Sequence, residues 1–324
     1  MRKLNYLDAI REGIQQSMQK DKNVFVYGEG IEIASGPFGV PLNLEKEFGK
    51  KRIFDVPLSE AAMTGLAIGS AINNLKPIMI HFRLDFTLLT FDQLFNAAAK
   101  IHYMFGGKIS CPLVIKATVG QGWGQGPNHS QAFHSIFAHF PGMKVVLPSN
   151  PYDAKGLMIS AIQDKNPVLF LEHKQLFSSI GSVPKKFYSI KIGKGKVLHV
   201  GKDITLVGFS STIPLMIDVS HKLKKQGISC EVIDLRSSFP LDKSIIINSV
   251  KKTGRIAIFD IDWSFAGVSS EICAIVGEYD YKILKSNFVR ITPPHVTHPV
   301  SYSLEKYFYP NLNFSLKKIS KIIK

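Results

Sequence analysis

The stretch MKVVLPSNPYDAKGLMISAIQDKNPVLFLEH, residues 143–173, decides the fold. It opens on one short apolar run, MKVVLP (143–148), and closes on another, PVLFLEH (167–173). Both are near-continuous hydrophobics, as strands covered on both faces must be. Residues 151–164 between them read as a helix. Pro151 suits a first helical position and Asn150 can cap the helix from just outside it. The same texture runs back toward the N-terminus. NVFVYG (23–28), RIFDVP (52–57), KPIMIHF (76–82) and PLVIKATV (112–119) predict strands, and 60–74, 87–104 and 130–138 predict helices. Such alternation predicts an α/β fold whose parallel sheet carries helices on both sides.

From about residue 178 the texture changes. SSIGSVPKKFYSIKIGKGK, 178–196, has no long apolar period, and 181–198 reads as a linker. A second series follows: DITLVGFS, a helix near 212–226, SCEVIDLR, a helix near 241–252, RIAIFDID, a helix near 267–279, then NFVRITPP. It predicts a smaller doubly wound domain. The expected organisation is two doubly wound domains, 1–180 and 199–324, joined by that linker. The tail SLKKISKIIK has apolar residues at 316, 319, 322 and 323 and fits a surface helix packed on one side.

Of the 324 residues 45% are hydrophobic, enough for a sizeable core. No apolar run reaches about 18 residues, so no membrane span is expected. Asp8, Arg11 and Glu12 stand where a signal peptide needs an apolar region, and MRKLNYLDAIREGIQQ reads as an amphipathic helix. Cys111, Cys230 and Cys273 are scattered, with no CxxC, which points to a reducing, cytoplasmic setting and no zinc. The net charge of +15 raises nucleic-acid binding. Against it, only 7 of the 40 basic residues are arginine and no nucleic-acid motif is present. An acidic substrate or protein partner accounts for the charge as well.

Two stretches carry candidate chemistry. GQGWGQGPNHSQ, 120–131, follows a predicted strand but lacks GxxxxGK[ST] and GxGxxG, and Pro127 removes a backbone donor. A mobile polar loop at the carboxyl end of a buried strand is better suited to presenting His129 than to binding phosphate. A purely structural turn remains the other reading. In DVPLSEAAMTGLAIGSAINN, 55–74, Glu60 stands at a strand-to-helix junction. It serves either as a proton-transferring carboxyl or simply as an acid favoured by the helix dipole. Ala61, Gly65 and Gly69, four apart, make a smooth stripe for close helix packing, with another chain or within this one.

Together these blocks resemble one family along nearly the whole chain. VFVYGEG, RIFDVPLSEAAMTGLAIGSA, LDFTLLTFDQLFNAAAKIHYMFGG, PLVIKATVGQGWGQGPNHSQ, HFPGMKVVLPSNPYDAKGLMISAIQDKNPVLFLEH and SCEVIDLRSSFPLD look like the β subunit of the decarboxylating first component of 2-oxoacid dehydrogenase complexes, of pyruvate, branched-chain and acetoin types. The resemblance implies a pyrimidine-binding transketolase-like domain followed by a smaller transketolase-like C-terminal domain. It implies thiamine diphosphate shared with an α subunit in a heterotetramer. Glu60 matches the glutamate that hydrogen-bonds ring N1′. Leu58, Phe86 and Leu89 match positions against the pyrimidine, where Phe86 could equally be core. His129 matches the loop histidine that assists acyl transfer to a lipoyl group. No GDG motif occurs, so the diphosphate and its Mg2+ are expected on the partner chain. A structural K+ site falls on Leu113, Ala161, Ile162, Asp164 and Asn166, where a helix C-cap is the plainer reading.

Two departures stand out. Leu89 replaces a glutamine found in some relatives. Residues 305–324 hold one acid, Glu305, and five lysines, where some relatives offer acids to the acyltransferase core. Three functions compete. The first is a thiamine-dependent 2-oxoacid dehydrogenase β subunit, for pyruvate above other 2-oxo acids, feeding a lipoyl-bearing core. The second is a thiamine-dependent transferase passing its fragment to a small molecule. The third is a non-catalytic basic subunit.

Overall fold

The computed structural model describes residues 2–31, 36–40, 43–120 and 124–323. Gln121, Gly122 and Trp123 of the glycine loop therefore lie outside the described residues. The chain forms two compact units, Met1–Val119 with Phe137–Ile192 and Gly120–Ile136 with Gly193–Lys324.

In the first unit the strands are β1 (Arg2–Asn5), β2 (Val24–Gly28), β3 (Ile53–Asp55), β4 (Lys76–His81), β5 (Val114–Val119), β6 (Lys144–Val146), β7 (Val168–His173) and β8 (Ile180–Val183). The main sheet runs β6-β7-β5-β4-β2-β3, all parallel, while β1 and β8 pair antiparallel as a separate ribbon. The helices are α1 (Tyr6–Lys20), α2 (Leu44–Phe48), α3 (Glu60–Ile72), α4 (Ala99–Met104), α5 (His134–His139) and α6 (Pro151–Gln163). As expected, Asn150 caps α6 through Asp153 N–H and Pro151 is its first residue. Residues 84–104 are less uniform than one helix: a 3-10 segment Leu84–Thr90, a π segment Asp92–Ala98, then α4.

Side-chain alternation along the strands divides the core. Val26, Ile78, Ile80, Val114 and Phe170 face α1 and α6, where Ile10, Ile14, Leu157 and Met158 are buried. Met79 points the other way and meets the Thr64 hydroxyl of α3. Helices thus cover both faces, which is why the strands carry no polar period. Two lysines are wholly enclosed. Lys116 lies 2.5 Å from Glu172, which also accepts the Thr118 hydroxyl at 2.8 Å. Lys155 meets Glu12 at 2.5 Å and the carbonyls of Pro184 and Lys186 at 2.9 and 3.0 Å. The latter contacts tie part of segment 181–198 to α6, and that segment also carries most of β8.

The second unit has strands β9 (Lys196–His199), β10 (Ile204–Gly208), β11 (Cys230–Asp234), the short β12 (Ser237–Phe239), β13 (Ile256–Phe259) and β14 (Val289–Ile291). Its sheet runs β14-β13-β10-β11-β9, parallel except for β9 at the edge. Helices α7 (Thr212–Lys224), α8 (Lys243–Thr253), α9 (Val268–Asp280), α10 (Tyr302–Phe308) and α11 (Leu312–Ile323) complete it. On one face α7 and α11 bury Met216, Val219, Ile319 and Ile322 against Leu206, Val232 and Phe259. On the other, the Thr205 hydroxyl bonds Ser249 and Thr253 of α8 at 2.6 and 2.8 Å. No helix among the described residues is long and apolar enough to cross a membrane.

Candidate active site

In the first unit, neighbouring strands β2 and β3 run in register to Gly28 and Asp55. A Cβ on Gly28 would lie 2.4 Å from the Ile80 carbonyl oxygen, so only glycine lets β2 and β4 close at this edge. The chain then turns away and places three acids together. Glu29 follows β2 directly, Asp55 ends β3, and Glu60 opens α3. Asp55 accepts the N–H of Gly30 at 2.7 Å and of Val56 at 2.9 Å, which fixes both turns. The Tyr27 hydroxyl donates to the Met63 carbonyl at 2.7 Å and holds the first turn of α3 over the strand end.

Glu29 and Glu60 share a hydrogen bond, which two ionised carboxylates cannot make. Burial, then the charge of Glu60, then their hydrogen bond and the charge of Asp55 push the Glu29 carboxyl up to about 7. Glu29 is therefore about half protonated at neutral pH. Glu29 is a residue the sequence reasoning missed. Its signal was present in VFVYGEG: an acid one step beyond a buried strand, the same argument that picked out Glu60.

Leu58 stands two residues before Glu60, and Phe86 and Leu89 lie on the 3-10 segment Leu84–Thr90, which packs against α3. Leu58 and Leu89 are 80% and 61% exposed, and Phe86 is half-buried. Aliphatic side chains this open to water form a shelf that a flat heteroaromatic ring could cover. A carboxyl pair beside such a shelf fits an aminopyrimidine. The buried face of α3 is Thr64, Ala67, Ile68 and Ala71. Gly65 and Gly69 lie off that face, and a Cβ on either would meet nothing within 4 Å. The small-residue stripe is thus not packed within this unit.

The residues matched to potassium come together at the end of α6. The Leu113 carbonyl accepts Val168 N–H at 2.8 Å and the Ala161 carbonyl accepts Asp164 N–H at 3.3 Å. Asp164 accepts Asn166 N–H at 3.0 Å and pairs with the Lys144 ammonium at 2.5 Å. No cluster of three or more His, Cys, Asp or Glu side chains able to hold a metal occurs among the described residues. A cation here would rest on carbonyl oxygens, each of which has a second lone pair.

His129 belongs to the second unit. It follows the 3-10 turn Gly126–Asn128, is half-buried, and has Nδ1 2.9 Å from the Asn128 side-chain oxygen. Gly126 has a φ of +68°, and a Cβ there would sit 2.4 Å from Val300 Cγ2. Glycine is favoured at this position by its backbone angle, and a larger residue would also have to displace the exposed Val300 side chain.

Comparison with known proteins identifies the family. The pyrimidine-binding domain of transketolase matches residues 2–179, and the transketolase C-terminal domain matches 193–313. The acetoin:2,6-dichlorophenolindophenol oxidoreductase subunit beta of Cupriavidus necator is 39% identical, over 96% of this chain and 94% of that protein. The pyruvate dehydrogenase E1 component subunit beta of Rickettsia felis is 38% identical over 97% of each. The 2-oxoisovalerate dehydrogenase subunit beta of Bacillus subtilis is 38% identical over 95% of each. A solved split gene transketolase, an inactive beta4 tetramer, shares the fold at a TM-score of 0.81 and 18% identity, covering 98% of this chain and 97% of that one. The chain therefore belongs to the transketolase-like family, among the β subunits of pyruvate, acetoin and branched-chain dehydrogenases.

Proposed function

We propose that the chain is the β subunit of a thiamine diphosphate-dependent 2-oxoacid dehydrogenase, with pyruvate as the favoured substrate. It works with an α subunit in a heterotetramer of two copies of each chain, in the cytoplasm. The observation that carries this reading is the Glu29–Glu60 pair, in which the Glu29 carboxyl is raised to about 7 at the mouth of α3. Thiamine diphosphate, when bound, supplies the electron sink that lets a 2-oxo acid lose carbon dioxide. Glu60 is assigned the hydrogen bond to ring N1′, where a proton must move in each cycle. Glu29 keeps that proton available at neutral pH. Leu58, Phe86 and Leu89 are assigned to the ring face, where they exclude water. His129 is assigned to acyl transfer. As a lipoyl disulfide opens, one sulfur takes the acyl carbon and His129 gives a proton to the other. Mg2+ is assigned to the partner chain, because GDG is absent here. The three free cysteines, none of them fully exposed, suit a reducing cytoplasm.

Calorimetric titration of thiamine diphosphate with Mg2+ tests the reading. Tight binding is expected only when the α partner is present, and Glu60→Gln in that pair should abolish decarboxylation. Binding to the chain alone would contradict the assignment of the diphosphate to the partner. Potassium is proposed at Leu113, Ala161, Ile162, Asp164 and Asn166, weakened because Lys144 already neutralises Asp164. Melting should then be about 1–2 °C higher in KCl than in NaCl at equal ionic strength. Equal melting temperatures would reject the ion.

A second reading has its own support. Glu305, the one acid in residues 305–324, is buried, so the tail cannot offer it to a basic docking domain. That favours a small-molecule acyl acceptor over a lipoyl-bearing core. Comparing rates with lipoylated domain and with a small carbonyl acceptor separates the two.

A further inference from the structure

His134 lies five residues beyond His129 and is wholly enclosed in the second unit. Its Nδ1 is 2.8 Å from the Ala132 carbonyl oxygen, and its Nε2 is 3.2 Å from Asp260 Oδ1, an ion pair set off the ideal hydrogen-bond line. The ring packs edge-to-face with Phe209 at 5.1 Å. Nδ1 faces the Ala132 carbonyl and Nε2 faces a carboxylate oxygen, surroundings that favour the protonated ring. The next residue repeats the attachment: the Ser135 hydroxyl donates to Asp262 at 2.5 Å.

The two carboxylates are themselves held from behind. Asp260 accepts the N–H groups of Asp262 and Ser269 at 3.1 and 3.0 Å, the latter in the first turn of α9. Asp262 accepts Trp263 N–H at 2.7 Å. Both acids are almost wholly buried. Losing the imidazolium would leave buried negative charge with no counterion, so the contact is strongly enforced. At the other end Gly126 is seated against Val300. Between these two points lie residues 127–133, His129 among them, of which Ser130, Ala132 and Phe133 are buried.

We propose that His134 is a positioning residue: paired with Asp260 and Asp262, it anchors segment 126–135 and so sets His129 for its proton transfer. The inference rests on the reading of His129 given above. The charged groups facing the His134 ring, among the described residues, are Asp260 and Asp262 alone; Phe209 and the Ala132 carbonyl supply the rest of its surroundings. These carboxylates hold the imidazole charged above its ordinary range, against the opposing effect of burial. The anchor therefore weakens as pH rises through that raised value.

The test uses the chain assembled with its α partner, comparing wild type with His134→Gln, Asp260→Asn, the double variant and His129→Ala. Hydrogen exchange of amides 124–133 is read alongside two rates: acyl transfer to dihydrolipoyl-forming acceptor, and decarboxylation coupled to 2,6-dichlorophenolindophenol. His134→Gln and Asp260→Asn should each speed exchange about 10-fold and slow acyl transfer about 10- to 100-fold, as expected for a misplaced group. Dye-coupled decarboxylation should stay within about twofold. The double variant, which removes one carboxylate together with the imidazole, should recover part of the loss. The alkaline fall in acyl transfer should vanish in His134→Gln. Unchanged exchange and unchanged acyl transfer would overturn the proposal, as would equal losses in both rates. If His129→Ala transfers acyl groups normally, the reading of His129 falls, while exchange still decides whether His134 anchors the loop.

Discussion

Each of the two parallel sheets ends, at its carboxyl edge, in a cluster of acids, and the clusters are resolved in different ways. In the second unit Asp260 and Asp262 receive the His134 ring, a serine hydroxyl and several backbone N–H groups, although burial and the charge of Asp260 still push the Asp262 carboxyl above its ordinary range. In the first unit Glu29, Asp55 and Glu60 gather with no cation lowering the Glu29 carboxyl, which rises to about 7. One cluster is closed by a counterion and serves as an anchor. The other is left short of positive charge with Glu29 buried beside two further acids, which is how a fold keeps a carboxyl ready to exchange a proton near neutral pH. An acid cluster that lacks its cation is therefore the better place to look for chemistry.

The largest expected effect falls on the open cluster. Glu60→Gln should lower decarboxylation by about 10²- to 10⁴-fold in the assembled enzyme, the usual scale for losing a proton-transferring group. A loss under twofold would place both clusters in the same structural class. Next comes the uncovered face of α3 beside it. Gly65→Leu adds bulk where nothing of this chain lies within 4 Å, so the fold should survive while association with the other subunits is lost. Light scattering after size exclusion reads this directly, and an intact heterotetramer would remove the stripe from the interface. The smallest effect concerns the proton on Glu29. Its folded value of about 7 lies above its ordinary 4.5, so between those values the unfolded chain releases a proton that the fold retains. Stability should fall as pH rises through that window and level off above it. Glu29→Gln should flatten this slope, by on the order of 1–2 kcal/mol. An unchanged pH dependence of melting would mean that Glu29 is already ionised.

The sequence was most legible where a residue's role depends on its neighbours in the chain. The buried strands, the Asn150 cap and the amphipathic α11 follow from period and capping alone. The place of Glu60 at the start of α3 was legible because a strand-to-helix junction is a local pattern. Glu29 was not singled out, because its proton depends on Glu60, 31 positions away and brought near by the register of β2 on β3. His134 was less legible still. In HSQAFHS it is one more histidine, and its meaning comes from carboxylates more than 120 positions later. The helix read as one piece over 87–104 is a 3-10 segment, a π segment and a short α-helix, a change of winding that hydrophobic period alone does not announce.

The two enclosed lysines have a practical consequence. The chain has 33 lysines, and among the described ones only Lys116 and Lys155 are sealed from solvent. An amine-reactive label would mark the remaining surface within minutes and reach these two only when the first unit opens. Because Lys116 sits inside the sheet and Lys155 between α6 and segment 184–186, mass spectrometry of the two peptides would time the opening of each place separately, with no mutation and no added probe. A surface crowded with ammonium groups thus becomes the background against which two silent positions report on breathing of the fold.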